Sequence, residues 1–558
     1  MRKCLSAILM CLLVACATPS ARVHTPEFFG TVEPFASEAI YFVVTDRFVD
    51  GDPSNNYEEQ GGNELYTFDR PVKLEGLPPG NIGYLGGDFR GVLNNAAYIA
   101  DMGFTAIWLT PIVDNPDEAF TGGKAPGEGG SNDLGKTGYH GYWGVNFFQL
   151  DEHLPSSGLG YGELTAALAA GYGIKTVLDV VCNHGSPSFS MVRDQPKYGE
   201  IYGPDGELLA DHQNLHPSEL DDDNPLHDFY LRQPDLAELS DMDYDNPKVL
   251  DYFVEAYLKW IDQGAAALRI DTIKHMPHEF WKAFSDRIRA EHPGLFMFAE
   301  SWSFDAKFLA SHQETANGNI SVLDFPGREA MLAVFGSEQD SYERLLSYLH
   351  LDTDVYRNPY ELMTFYDNHD MSRLDADDHG FVDANNWLFT SRGIPVVYYG
   401  SEVGFRAGAD QHSGNRDYFG QDNIDAAPSH SIHQSLRRIA TVRKNSIALQ
   451  RGLQLNYSFT QDTAIFLRAY QGNDSRQSAL VFLNKGNTEK SMTVSRDLEV
   501  GKWKDAITGD EYVVSADDGK LAVSVPAHGV RVLMFESPLQ NPELISKLLD
   551  LQRHTNLE

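Results

Sequence analysis

Four apolar runs of this sequence end in groups that can do chemistry: Asp179, Asn183 and His184 in one, Arg269, Asp271, Lys274 and His275 in the next, Glu300 in a third, His369 and Asp370 in a fourth. Residues 267–276, ALRIDTIKHM, show the change of character within a single segment: Ala267, Leu268 and Ile270 suit a packed interior, yet four ionisable side chains crowd among and after them. Two carboxyl groups held about 5–5.5 Å apart, one ionised and one protonated, can exchange substituents at the anomeric carbon of a sugar through a covalent intermediate. Asp271 suits the ionised role, because Arg269 lies two residues earlier on the same side of a strand and can aim it by a charge-assisted bond. Glu300 suits the protonated role, since its neighbours Phe298 and Trp302 and the nearby carboxylates all favour the neutral form. One acid at a strand end is ordinarily a cap or an ion-pair partner; four such ends meeting at one mouth are another matter.

Meeting requires elements that converge. Short β-rich runs are read at 39–48, 104–111, 174–184, 266–275, 295–302, 321–326, 362–370 and 394–402, separated by amphipathic helices such as GELTAALAAGYG, PKVLDYFVEAYLKWIDQG, HEFWKAFSDRIRAEHPG and SYERLLSYLHL. Eight strands alternating with helices predict a closed (β/α)8 (TIM) barrel, whose chemistry sits at the C-terminal strand ends. The barrel is expected over 30–184 and 240–446. Residues 185–239, rich in Asp, Pro, His and Gly, are too long for a simple crossover and predict an excursion domain after the third strand. Residues 450–537 switch to short alternating strands, for example AIFLRAY, ALVFLN and VRVLMFE, and predict a C-terminal antiparallel β-sandwich; 538–558 read as a short helix and tail.

The chain has 558 residues, 42% of them hydrophobic, enough for a substantial core. Its formal charge of −36 disfavours nucleic acid and anionic lipid as long-range partners and suits a neutral ligand or a divalent cation. The first residues, MRKCLSAILMCLLVACATPS, pair two cations with an apolar run and small residues, the pattern of an export signal. Within it LVAC resembles a bacterial lipoprotein signal spanning 1–16, cut ahead of Cys16 so that Cys16 becomes the first residue of the mature chain and carries a lipid anchor, with an outer-membrane destination. Ordinary cleavage after Ala17 into a secreted or periplasmic protein is the alternative. Only Cys182 then remains, so no intramolecular disulfide is expected, and a monomer is favoured.

DVVCNH, LRIDTIKH, FAES and FYDNHD together resemble the four short stretches shared by the α-amylase family of glycoside hydrolases, and DRFVDGDPSNN, GGDFRG, GYHGYW, LSDMDYDNP and RGIPVVYYGSE extend the likeness. It runs from about residue 39 to the sandwich and leans toward the bacterial branch containing cyclodextrin glucanotransferases. The resemblance implies a retaining enzyme acting on α-1,4-glucans or maltooligosaccharides, with Asp271 as nucleophile, Glu300 as general acid and base, and Asp370 as the third carboxylate. His184 and His369 would bind the sugar in the reacting subsite, Arg269 would orient the nucleophile, Tyr142 would stack under the ring and His140 line it, and Lys274 and His275 would face the leaving group. For Trp143 core packing is the stronger expectation. Ala267 replaces a usual Gly and Cys182 a frequent Pro, neither of them a group the chemistry needs.

Asp50, Asp52, Asn55 and Asn56 put oxygen donors at short spacing in one turn, a set that suits calcium. The resemblance completes this structural site with Gly86 and Asp88, and implies a second at Asn183, Asp241 and the backbone of His275. The carboxylates alone do not decide between water and a sugar hydroxyl as acceptor. The cyclising relatives carry a central aromatic before the LSD-like stretch; here the alignment puts Ala237 there, favouring hydrolysis over transfer, although a small shift would bring in Tyr230. A non-catalytic family member would have lost one of the three acids, and all are present. A metal-dependent hydrolase on such a barrel would want His-x-His on the first strand, which has none.

Overall fold

The strands that carry the acids are short and dry. In the computed structural model, which describes residues 26–73, 79–127, 133–405, 414–472 and 475–555, they are β1 (Ile40–Val43), β2 (Ala106–Leu109), β3 (Lys175–Val180), β4 (Ala265–Ile270), β5 (Phe296–Ala299), β6 (Ser321–Val322), β7 (Met363–Thr364) and β8 (Ile394–Tyr398). The export-type segment and Cys16 lie outside the described residues. All eight strands pair in parallel in the order β6-β5-β4-β3-β2-β1-β8-β7, and a parallel bridge between Leu323 and Met363 brings the two edges together. Such strands are buried on both faces, which is why they read as continuous apolar runs. The expected (β/α)8 barrel is the architecture.

Helices cover its outside, several of them started by a side-chain cap. They include α1 (Tyr161–Tyr172), α2 (Pro247–Ile261), α3 (His278–Glu291), α4 (Phe325–Phe335), α5 (Asp378–Leu388) and α6 (Ser431–Lys444). At α2 the Asn246 side chain accepts from Lys248 N, with Pro247 at the first helical position. The same chemistry shortens the sixth strand relative to the run at 321–326: Asp324 accepts from Gly327 N and starts α4. The seventh strand stops at Thr364 rather than 370, because Asn368 accepts from Asp370 N and Met371 N and Asp367 from Leu374 N. Side-chain turns there replace the ladder. SYERLLSYLHL, expected as one amphipathic helix, is a 3-10 turn (Tyr342–Leu345) followed by a single helical turn (Leu346–Leu349) that ends on His350 at φ +48°.

The excursion leaves and rejoins the barrel through one antiparallel pair, His184–Pro187 with Leu239–Asp241, just beyond β3. Past α6, an antiparallel sheet of six strands, Leu453–Phe459, Thr463–Gln471, Arg476–Asn484, Gly529–Phe535, Gly501–Asp505 and Glu511–Val514, faces the pair Lys490–Val494 and Leu521–Val525. Leu521–Val525 alternates buried and exposed along its length, as one layer of a sandwich should. Trp387 of α5 packs edge-on to Phe459 and Phe466 and joins the two domains.

Arg392, in the turn before β8, is fully buried; it pairs with Asp324 at 2.7 Å and donates to the Leu349 and Tyr348 carbonyls. Arg392→Ala would leave Asp324 buried without its cation, so chemical denaturation should show a loss of about 3–5 kcal/mol; an unchanged midpoint would contradict this closure of the barrel.

Candidate active site

At the C-terminal ends of the strands the chain encloses a cleft of about 690 Å³, bounded by His140, Tyr142, His184, Asp271, Lys274, His275, Glu300, His369 and Asp370, with Leu236, Ala237 and Leu239 of the excursion as one wall. All three carboxylates expected from the sequence therefore share one solvent-open space. Of the other residues expected around the reacting sugar, only Arg269 is outside the lining, because it lies beneath it.

Arg269 is fully buried at the end of β4. Its Nη1 donates to Asp271 Oδ1 and to Asp179 Oδ1, both at 2.8 Å, and its Nη2 pairs with Glu300. Backbone bonds lock the same corner: Glu300 N donates to Ile270 O at 2.8 Å and Ile273 N to Glu300 O at 3.0 Å. Thr272 follows the aspartate at φ +47°, a conformation rare for a β-branched residue, and its hydroxyl donates to Asp271 Oδ2. That turn brings Lys274 and His275 round to the cleft. Lys274 Nζ then donates to Trp302 O, and His275 Nδ1 meets Asp235 Oδ2 of the excursion at 2.8 Å.

The protonation states derive from burial and company. Burial, reinforced by Asp370, Asp271 and Asp179 and opposed by Arg269, pushes Glu300 up to about 8. Asp179 is pushed up to about 7, mainly by burial, and takes bonds from Trp108 Nε1 and Tyr142 OH at 2.8 Å each. Burial works against ionisation of Asp370 as well, but the positive charges of Arg416 and Arg269 and the bond from Arg416 oppose it, and the carboxyl stays below the usual range. Arg416 Nη2 bonds Asp370 Oδ1 at 2.7 Å and its Nε donates to His369 O. Burial lowers His369 to about 3 and also lowers His184, so both present neutral rings. Tyr142 stacks on His369 with centroids 5.2 Å apart, and His140 Nδ1 accepts from Tyr142 N. Trp143 packs with Phe120, Met191 and Tyr198, as expected of a core residue, while its edge reaches the cleft.

Arg416 was not among the residues anticipated, nor were Asp133, Lys136 and Trp302, which also line the cleft. Arg416 arrives from a loop beyond β8, in SGNRDYF, where nothing in spacing or polarity marks a site. Trp302 had a signal in its position two residues past Glu300, and Asp179 was visible as a strand-end acid without a role.

The bonding of the anticipated cation donors separates them. Asp50 Oδ1, Asn55 Oδ1 and Asn56 Oδ1 are each buried with no partner, a set of bare acceptors that fits an oxygen-seeking cation. Gly86 adopts φ +88°, and a Cβ there would fall 2.5 Å from Asn56 Oδ1 and 3.0 Å from Asp50 Oδ2. Asp88 is pushed up to about 6, mainly by burial, and accepts from Gly51 N and Gly91 N. Asp52 instead turns its carboxylate onto Ser54 and caps the 3-10 turn Pro53–Asn55. At the second set, burial pushes Asp241 up to about 7 while it accepts from Asp235 N and Leu236 N; Asn183 Oδ1 lies 3.0 Å from His184 Nδ1, and the buried atom of its amide without a partner is the nitrogen, so this set lacks the bare acceptors of the first. A further acid group, Asp114, Asp117 and Glu152, already faces a cation: Lys197 of the excursion lies 3.2 Å from Asp114 and 3.2 Å from Asp117.

The family model of the α-amylase catalytic domain matches residues 42–435. The chain belongs to the α-amylase family. It is 30% identical over 503 residues to a cyclomaltodextrin glucanotransferase of Klebsiella oxytoca, covering 81% of this chain and 71% of that protein. To the cyclomaltodextrin glucanotransferase of Bacillus sp. (strain 38-2) it is 30% identical over 502 residues, covering 85% of this chain but only 63%, less than two thirds, of that one. Among solved structures, CldA, described as a cyclomaltodextrin glucanotransferase with a three-domain ABC distribution, superposes with a TM-score of 0.73 at 29% identity, covering 90% of this chain and 99% of that one. An Anoxybacillus α-amylase shares the fold, with a TM-score of 0.67 at 24% identity over 91% of this chain and 99% of that one. In this α-amylase-family enzyme the three acids, and the arginine beneath them, stand at one barrel mouth.

Because the folded-state value of Glu300 is raised, its proton is retained at neutral pH and lost only as pH climbs through about 8. Infrared difference spectra of wild type against Glu300→Gln should show a carboxylic acid at about pH 7 that disappears near that value; a carboxylate already present at about pH 6 would contradict the assignment.

Proposed function

We propose that the enzyme hydrolyses α-1,4-glucosidic bonds of starch-like glucans or maltooligosaccharides by double displacement. The observation that carries this reading is that Asp271 and Glu300 are bound to the two terminal nitrogens of one buried guanidinium and face one cleft. Asp271, aimed by its bond from Arg269, attacks the anomeric carbon while Glu300 gives its proton to the departing glycosidic oxygen. The resulting glycosyl ester on Asp271 is released when Glu300, now a carboxylate, takes a proton from water attacking the same carbon. Asp370, kept ionised beside Arg416, and neutral His184 and His369 grip the hydroxyls of the reacting glucose. Tyr142, pinned by Asp179, supplies the flat face beneath it.

Water rather than a curled sugar chain is the favoured acceptor because the excursion wall is aliphatic. Leu236, Ala237 and Leu239 line it. Tyr230, the other candidate for a central ring, is buried, with its hydroxyl donating to Gly199 O, and lies outside the cleft lining. The names of the relatives make a cyclodextrin glucanotransferase the second reading. For the first donor set, Asp50, Asn55, Asn56, Gly86 and Asp88, and the second, Asn183, Asp241 and the His275 backbone, we propose structural calcium, which would hold the cleft walls and take no part in bond breaking. Acylation of Cys16 would tether the enzyme to a membrane after export, the reading supported by LVAC.

Chromatography of products from soluble starch should show linear maltooligosaccharides; cyclodextrins would replace hydrolysis by transfer, and untouched starch would overturn the proposal. Asp271→Asn should lower kcat by several orders of magnitude with an unchanged circular dichroism spectrum. Chelation should lower the thermal midpoint by on the order of 2–4 °C for each ion lost, the effect of losing a ligand present at about a hundred times its Kd from a chain of this size; a midpoint indifferent to chelator and to added calcium would remove the metal.

A further inference from the structure

The arm that carries Glu300 continues past the cleft. Trp302 and Phe304 leave 41% and 48% of their surface exposed, a costly arrangement for rings so close to a site. Both pack on buried Phe325 at the start of α4, Trp302 stacked and Phe304 edge-on, each at 6.1 Å. Trp302 lines the catalytic cleft, whereas Phe304 opens a second cavity of about 530 Å³ between α4 and the loop after Asp370. That cavity is walled by Arg328, Glu329 and Arg344 on one side and Ser372 and Asp375 on the other. Its two walls thus start two residues beyond a residue of the catalytic cleft on each side: Phe304 after Trp302, and Ser372 after Asp370.

Its chemistry is that of a surface for a neutral polyol. Guanidinium groups and carboxylates alternate without a dominant sign, so donors and acceptors for vicinal hydroxyls stand side by side, next to an aromatic face suited to pyranose C–H groups. Arg328, buried and bonded through Nη2 to Ser372 O at 2.7 Å, keeps a buried Nε with no partner, and so does Arg373, which also borders the cavity. Glu300 must touch the glycosidic oxygen, so the residues after it on the same arm lie on the leaving-group side of the bond.

Resting on the hydrolase reading above, we infer that this cavity is an additional glucan-binding subsite, in which Phe304 and the Arg328–Arg344 wall hold sugar units of the leaving chain beyond those in the catalytic cleft. It gives the enzyme a preference for long linear chains that the cleft alone does not provide.

The test is the length dependence of KM. Wild type, Phe304→Ala and Arg344→Ala are compared on a series of maltooligosaccharides of increasing length and on a short chromogenic maltoside, with thermal unfolding as the check on folding. In the wild type KM should fall as the chain lengthens. In Phe304→Ala KM for the longest chains should rise about three- to tenfold, the worth of one aromatic contact, with kcat and the short-substrate KM unchanged. Exposed Arg344→Ala should show the same selectivity to a smaller degree, and it reads out the cavity should Phe304→Ala unfold. Length profiles of both folded variants superimposable on the wild type would overturn the subsite while leaving the hydrolase reading intact. A wild type that cleaves none of the series would instead overturn that reading.

Discussion

The site depends on one cation in a dry place. Arg269 has no exposed surface and faces three carboxyl groups, Asp179, Asp271 and Glu300. A buried guanidinium is tolerated only where its charge is matched and its donors are used, and three full negative charges around it would overcompensate. The excess is relieved by protons rather than by more cations. Burial raises Glu300 and Asp179, while Asp271 takes its bond from the arginine at the cleft. In the proposed mechanism the difference in role between nucleophile and acid arises from this competition for one charge.

The elements around Arg269 keep that competition from relaxing. Asp179 ties Trp108, Tyr142 and the guanidinium into one network, so the Tyr142 ring and the arginine beneath Asp271 share a support. The excursion is held against the barrel at the same level by His275 to Asp235 and by Lys197 to Asp114 and Asp117. Its aliphatic segment from Leu236 to Leu239 then becomes a cleft wall, and the proposed reading places specificity there and along the arm beyond Glu300.

Much of this was legible in the residues. Apolar runs that end in acids read correctly as barrel strands reaching a mouth, and Arg269 two residues before Asp271 foretold their contact because a strand repeats every second residue. Less could be read where side chains override local pattern. The runs at 321–326 and 362–370 look like full strands, but Asp324, Asp367 and Asn368 bond the backbone and end the ladder early. Those interruptions release His369 and Asp370 into the cleft. Arg416 was invisible for a different reason: a loop residue brought in from beyond β8 by the fold alone leaves no periodicity to detect. The donors Asp50, Asn55, Asn56 and Asp88 could be grouped from sequence, yet only the structure separates them from Asp52, which spends its carboxylate on Ser54.

The pH profile of kcat/KM for Arg269→Lys against wild type, on a maltooligosaccharide, tests the central claim most directly. Since Arg269 opposes the upward push on Glu300, weakening that contact should move the alkaline limb to higher pH, in a folded protein whose rate has fallen by orders of magnitude. A variant with wild-type rate and an unmoved limb would show that the buried guanidinium neither aims the nucleophile nor sets the acid.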